Sequence, residues 1–120
     1  MSDSIVTVDR LKEMVKLFIL ERDWDKFHDS KSLSMSISIE AAELMEIFQW
    51  VRTSDTEKMI SDNTVKGKVV DEIADILIYT IAFCSKNNID ISKSIEQKLK
   101  KNSSKYPIEK YKGKYSLNKS

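Results

Sequence analysis

Apolar residues recur along this chain at helical spacing, in four runs separated by short polar breaks. Leu11, Met14, Val15, Phe18 and Ile19 follow the i, i+3, i+4, i+7, i+8 stripe of one helix face, with Lys12, Glu13 and Lys16 on the solvent side. That pattern predicts a first helix from an N-cap at Thr7 to about residue 25, then a loop over residues 27–32. A second helix is expected over about residues 33–52. Its core stripe is Ile37, Ala41, Leu44, Phe48 and Val51, and a neighbouring stripe is Ser36, Glu40, Glu43, Ile47 and Trp50. Met35, Ile39, Ala42 and Met45 make a third side apolar as well. A helix apolar nearly all round is buried on several sides, by partner helices or by another subunit. Ser54 or Asp55 caps a short helix through Ile60, and Ser61-Asp62-Asn63 makes a turn.

A third helix is expected over about residues 64–85. Val65, Val69, Ile73, Ile76, Leu77, Thr80 and Phe83 pack one side; Lys68, Glu72, Asp75, Tyr79 and Ala82 form another stripe. Asn87-Asn88 ends it, since Asn tolerates the left-handed conformation of a C-terminal cap. Asp90 caps a fourth helix ending near Ser104, with Ile91, Ile95 and Leu99 inward. Residues 106–120 are basic and polar and read as an extended C-terminal arm. Four long helices with short loops make an all-α, antiparallel four-helix bundle the expected fold, in a single domain over residues 1–120.

Composition agrees with this picture and narrows the partners. Only two Gly and one Pro occur in 120 residues, which argues against a sandwich or barrel. A net charge of +1 gives no reason to expect a nucleic-acid polymer or a membrane surface as partner. No apolar stretch approaches the roughly 18 residues of a membrane span. The single Cys84 excludes an internal disulfide and a cysteine-rich zinc site, and the first residues carry no signal-peptide pattern. A reducing, cytoplasmic setting is the expectation.

Two acidic pairs break the apolar pattern: Glu40-Ala41-Ala42-Glu43 and Glu72-Ile73-Ala74-Asp75. Three residues along a helix is a rotation of about 300°, so each pair shares one face. Carboxylates placed among hydrocarbon are costly unless a cation or a donor satisfies them. Most helix glutamates face water, and Glu13, Glu46, Glu57 and Glu96 read as such residues, Glu46 on the more open side of Ala42 and Gln49. The four central acids do not. Four carboxylates with no His or Cys beside them suit Mg2+, with Mn2+ as a substitute, rather than zinc. A di-iron bundle would use Glu-x-x-His motifs, and the only histidine, His28, lies in the expected loop. Such a magnesium site retains waters and takes phosphate oxygens, so a nucleotide or polyphosphate substrate follows. Tyr79 extends the Glu72/Asp75 stripe by one turn, in reach of a sugar or phosphate.

Four blocks carry a family resemblance. They are Arg22-Asp23-Trp24-Asp25-Lys26-Phe27-His28; Glu40 to Leu44 with Phe48-Gln49-Trp50; Asp71-Glu72 through Asp75 to Tyr79; and Lys98-x3-Asn102-x2-Lys105-Tyr106-Pro107. In this order they resemble the MazG-like all-α nucleoside triphosphate pyrophosphohydrolases, and in particular the dCTP pyrophosphatase branch. The resemblance implies hydrolysis between the α and β phosphates, giving a nucleoside monophosphate and pyrophosphate. It implies catalytic Mg2+ held by Glu40, Glu43, Glu72 and Asp75, with one of the Glu40/Glu43 pair holding or deprotonating the attacking water. It also implies a homodimer or homotetramer with sites near subunit interfaces. Trp24 and Trp50 would line the nucleobase pocket and His28 would lie near the base or sugar. Lys98, Asn102, Lys105 and Tyr106 would meet the triphosphate. Where dCTP-directed members tend to have Pro-Arg-Asn, this chain has Ser30-Lys31-Ser32. Lys31 keeps the charge for substrate but loses the bidentate geometry of arginine. A pyrimidine deoxynucleotide such as dCTP, or a modified one, is the expected substrate. The alternatives are a broad NTP pyrophosphatase and, from another class, a non-catalytic helical interaction protein whose acids are structural.

Overall fold

The computed structural model describes residues 1–114, and these are helical with no strand among them. Six helices follow in order: α1 (Val8–Glu21), α2 (Ser30–Phe48), α3 (Thr56–Ile60), α4 (Asn63–Lys86), α5 (Ile91–Lys105) and α6 (Ile108–Tyr111). Single turns of 3-10 helix precede α2 and α3, at Asp25–Phe27 and Thr53–Asp55. No helix among the described residues is long and apolar enough to cross a membrane. The chain divides into two compact units, Met1–Asn88 and Ile89–Ser120.

The first unit is organised by α4, against which α1, α2 and α3 pack. Its ends are set locally. The Asp62 carboxylate accepts from the amides of Thr64 (2.9 Å) and Val65 (3.2 Å), satisfying donors that a helix start leaves free. At the other end Asn87 caps α4, and Asn88 takes the left-handed backbone conformation, φ 53°. The Asn87 amide donates to Phe83 O (2.9 Å) and to Ser30 Oγ (3.0 Å). That link ties the start of α2 to the end of α4, so the two run antiparallel. Leu33, one turn into α2, is the most enclosed side chain at 1% exposure. It packs with Ile19 of α1 and Ala82 of α4, and Val15, Tyr79 and Phe83 surround them.

Several boundaries and faces differ from expectation. α1 starts behind its Thr7 cap but stops at Glu21, because Asp23 turns left-handed (φ 52°) and sends Trp24 back edge-on against Phe18, ring centroids 5.8 Å apart. α2 begins at Ser30 inside the expected loop, because Asp29 caps it through the Ser32 amide at 2.9 Å. It ends at Phe48, four residues early. Ala41 faces outward, whereas Leu33, Ser36, Ile37, Glu40, Leu44, Ile47 and Phe48 make its covered face. Ile73 and Leu77 of α4 and Met14 and Phe18 of α1, expected in the core, are exposed. Apolar periodicity marks a face that needs cover but does not say which element supplies it.

The second unit contains α5, capped by the Asp90 carboxylate on the Lys93 amide at 2.8 Å. Ile95 and Leu99, expected to point inward, are exposed. The expected arm is helical over Ile108–Tyr111, because Pro107, with no amide to leave unpaired, suits a helix start. Tyr111 packs edge-on against Tyr106, centroids 5.1 Å apart. The remainder of that arm, residues 115–120, lies outside the described residues.

Leu33→Ala removes the best-buried side chain and is expected to cost about 2–5 kcal/mol, against about 1 kcal/mol for loss of the cap in Asp62→Ala. Urea unfolding followed by circular dichroism gives both values, and an equal loss in the two variants would contradict this core.

Candidate metal centre and adjoining cavity

The antiparallel pairing of α2 and α4 turns two sequence motifs into one cluster. Glu40 and Glu43 project from the middle of α2, and Glu72 from the middle of α4. One carboxylate oxygen from each lies within 4.8 Å of the other two. Glu40 and Glu72 are half-buried, and Glu43 faces solvent. Asp75 lies outside this triad, one turn along α4, near enough to repel both Glu40 and Glu72. None of the ion pairs formed among the described residues involves these four acids.

The electrostatic consequence is pronounced. Loss of hydration raises the Glu40 carboxyl from its ordinary 4.5 to about 7, and carboxyl–carboxyl hydrogen bonding with Glu72 and Glu43 and repulsion from Glu43 and Asp75 add to the rise. For Glu72 the hydrogen bond with Glu40 pulls its pKa down. Lost hydration, Glu43 and Asp75 outweigh that pull, and the net direction is up. No amide, hydroxyl or ammonium donor reaches Glu40 Oε2 or Glu72 Oε2, both of which are buried. Buried acceptors without donors are costly, and a hard cation supplies what they lack. The donor set, oxygen throughout with no sulfur or imidazole, fits a divalent ion of the magnesium type.

Beside the acids lies a cavity of about 240 Å³, lined by Phe18 and Ile19 of α1, Trp24 and His28 of the connection, and Asp75, Ile78, Tyr79 and Ala82 of α4. Four aromatic rings line it. His28 meets Tyr79 edge-on, centroids 6.3 Å apart, and its Nδ1 is buried without a partner. Asp75 therefore belongs to the cavity wall as well as to the acidic face. A cavity walled by aromatic rings, with a carboxylate in its lining, suits a flat heteroaromatic ring.

Trp24, His28, Tyr79 and Asp75, singled out from the sequence, thus come together. Trp50 does not join them: it is 89% exposed, on the turn after α2. Lys31 is exposed on the first turn of α2. Lys98, Asn102, Lys105 and Tyr106 lie in the second unit, where Asn102 O accepts from the Tyr106 amide (2.7 Å) and Lys105 Nζ stands 5.3 Å above the Tyr106 ring. Sequence reasoning missed Phe18 and Ile78 as cavity walls. Phe18 sits in the apolar stripe of α1 and carries no mark separating a pocket wall from a core residue.

An all-α chain with paired acids on two antiparallel helices defines a class, and comparison with known proteins identifies it. The MazG-like family model matches residues 35–116, which include both acidic pairs, and the chain belongs to the MazG-like family. A pyrophosphatase of known crystal structure from Archaeoglobus fulgidus is 43% identical, with a TM-score of 0.77 over 82% of this chain and 91% of that one. dCTP pyrophosphatase 1 of Rattus norvegicus is 26% identical over 102 residues, 85% of this chain and 60% of its own length. The Homo sapiens protein of the same name is 27% identical over 101 residues, 84% and 59% of the two chains. The chain spans about three fifths of the length of these curated relatives.

A raised carboxyl makes a directional prediction. Between about pH 4.5 and 7 folded Glu40 keeps a proton that the unfolded chain has released. Its contribution to stability is full below 4.5 and is lost as pH rises to 7. With chelator present, the melting temperature is expected to fall from pH 5 to pH 8, and Mg2+ or Mn2+ to raise it more at pH 8. Differential scanning calorimetry checks this; a metal effect larger at pH 5 would contradict it.

Proposed function

We propose that this chain is a Mg2+-dependent nucleotide pyrophosphohydrolase that cleaves a deoxynucleoside triphosphate, dCTP or a related pyrimidine nucleotide, to the monophosphate and pyrophosphate. The observation that carries the proposal is the meeting of three carboxylates, two of whose buried oxygens no amide, hydroxyl or ammonium donor reaches, beside an aromatic cavity. Resemblance to proteins named as pyrophosphatases supports the bond to be cleaved.

The residues divide the work by position. Glu40, Glu43, Glu72 and Asp75 would hold the metal. When bound, Mg2+ would neutralise the polyphosphate and make a water more acidic. Glu43, the solvent-facing member of the cluster, orients the attacking water and accepts its proton. Trp24, Phe18, Tyr79 and His28 hold the base, which points the phosphates toward the acids. Trp50, Lys31, the α5 residues Lys98, Asn102 and Lys105, and Tyr106 just after α5 complete the substrate contacts in the assembled protein. Assembly is a homodimer or homotetramer. The support is the side of α2 opposite its covered face, where Met35, Ile39 and Met45 are exposed.

One observation favours the broader reading, an NTP pyrophosphatase of low base selectivity. Ser30 Oγ is committed to Asn87, and Ser32 Oγ donates to the Asp29 carboxylate at 2.7 Å. Both hydroxyls serve the helix start, so neither replaces the base-reading groups expected there.

Purified protein is expected to release pyrophosphate, and no orthophosphate, from dCTP only with Mg2+ or Mn2+. Glu43→Gln and Asp75→Asn should stay folded and each lose about 100-fold or more in rate. Full activity in both variants would remove the acids from the mechanism; orthophosphate as product would exclude this bond.

A further inference from the structure

Lys68 is the one member of the acidic stripe on α4 that has no part in the reaction above. At 100° per residue, Lys68, Glu72, Asp75 and Tyr79 fall within an arc of about 60°. Lys86 falls in the same arc beyond the aromatic cavity, where it meets Asp25 at 3.9 Å. Lys68 stands at the opposite end, about 6 Å past Glu72 along the helix axis, and is exposed. No carboxylate among the described residues lies within ion-pair distance of it. A lysine one turn before a glutamate is the poorer order for a pair within one helix, which accounts for the free ammonium beside Glu72. On α2, the covered residues that follow Glu43 are Leu44, Ile47 and Phe48, so no charge on that face competes for it. Three donors are left open to solvent at the edge of the acidic cluster.

The order of groups along α4 gives the site a direction. The aromatic cavity uses Tyr79 and Ala82, toward the end of the helix. Asp75 and Glu72 come next, and Lys68 lies beyond them. A nucleotide with its base in the cavity and its α-phosphate at the acids sends its β- and γ-phosphates toward Lys68. We propose that Lys68 receives this pyrophosphate half of the substrate; the proposal rests on the nucleotide reading above. In the reaction the oxygen of water bonds to the α-phosphorus and its proton goes to Glu43. The bond from that phosphorus to the α–β bridging oxygen breaks, and the electron pair leaves on pyrophosphate. Lys68 transfers no proton. Its ammonium offsets the charge that grows on the leaving group. That half is common to all nucleoside triphosphates, so Lys68 sets affinity and rate without reading the base.

Isothermal titration calorimetry in Mg2+, with inorganic pyrophosphate and with dCMP, separates the two halves of the substrate. Lys68→Met is expected to bind pyrophosphate about tenfold more weakly, a difference of about 1.4 kcal/mol, and dCMP as the unchanged protein does. Lys68→Arg, which keeps the charge, should restore most of the pyrophosphate affinity. The kcat/KM for dCTP should fall about tenfold or more in Lys68→Met. Its melting temperature should stay the same, because the residue is exposed and unpaired. Unchanged pyrophosphate binding in Lys68→Met, an equal loss for dCMP, or a lowered melting temperature that accounts for the loss would overturn the assignment. Pyrophosphate binding that depends on Lys68, in a protein that cleaves no triphosphate, would contradict the proposed reaction and leave this contact standing. Cleavage of dCTP by Lys68→Met at the kcat/KM of the unchanged protein would do the reverse.

Discussion

The antiparallel contact between α2 and α4 is the constraint on which the first unit depends. It is fixed at one end by Asn87 reaching Ser30, and it is packed through Leu33 against Ala82. The same contact sets Glu40 and Glu43 opposite Glu72. Carboxylates that would be harmless on separate helices are thereby forced within 4.8 Å of one another. The chain spends stability on that arrangement, and the rise of Glu40 to about 7 is its visible sign. A bound divalent ion would convert the repulsion into coordination, so the destabilising cluster and the proposed site are the same residues.

Much of this was legible in the sequence, because caps and periodicity are local. α4 was delimited to within one residue at each end by Asp62-Asn63 and Asn87-Asn88. The acidic pairs were legible because three-residue spacing puts them on one face whatever surrounds them. The errors came where a local signal admits two outcomes. Asp29 reads equally as a loop residue and as an N-cap. Asp23 carries no sign that it will turn left-handed and end α1 early. Pro107 suits both an extended arm and a helix start, and it starts α6.

The site was legible in part, for a related reason. Polar residues in apolar runs announce themselves, so Glu40, Glu72, Asp75 and Tyr79 were visible. Apolar walls do not, and Phe18 and Ile78 emerged only when α1, α4 and the Trp24–His28 turn were placed together. Likewise Ile73 and Leu77 satisfy the pattern of a core while standing exposed in one chain. Met35, Ile39 and Met45 of α2 stand exposed in the same way.

Anomalous diffraction from crystals grown with Mn2+ and a non-hydrolysable dCTP analogue measures the central claim most directly. The account predicts a manganese peak at ordinary coordination distance, about 2.1–2.2 Å, from oxygens of Glu40, Glu43, Glu72 and Asp75, shared with the analogue's phosphates. Phosphates bound elsewhere, or manganese bound away from these four carboxylates, would contradict it.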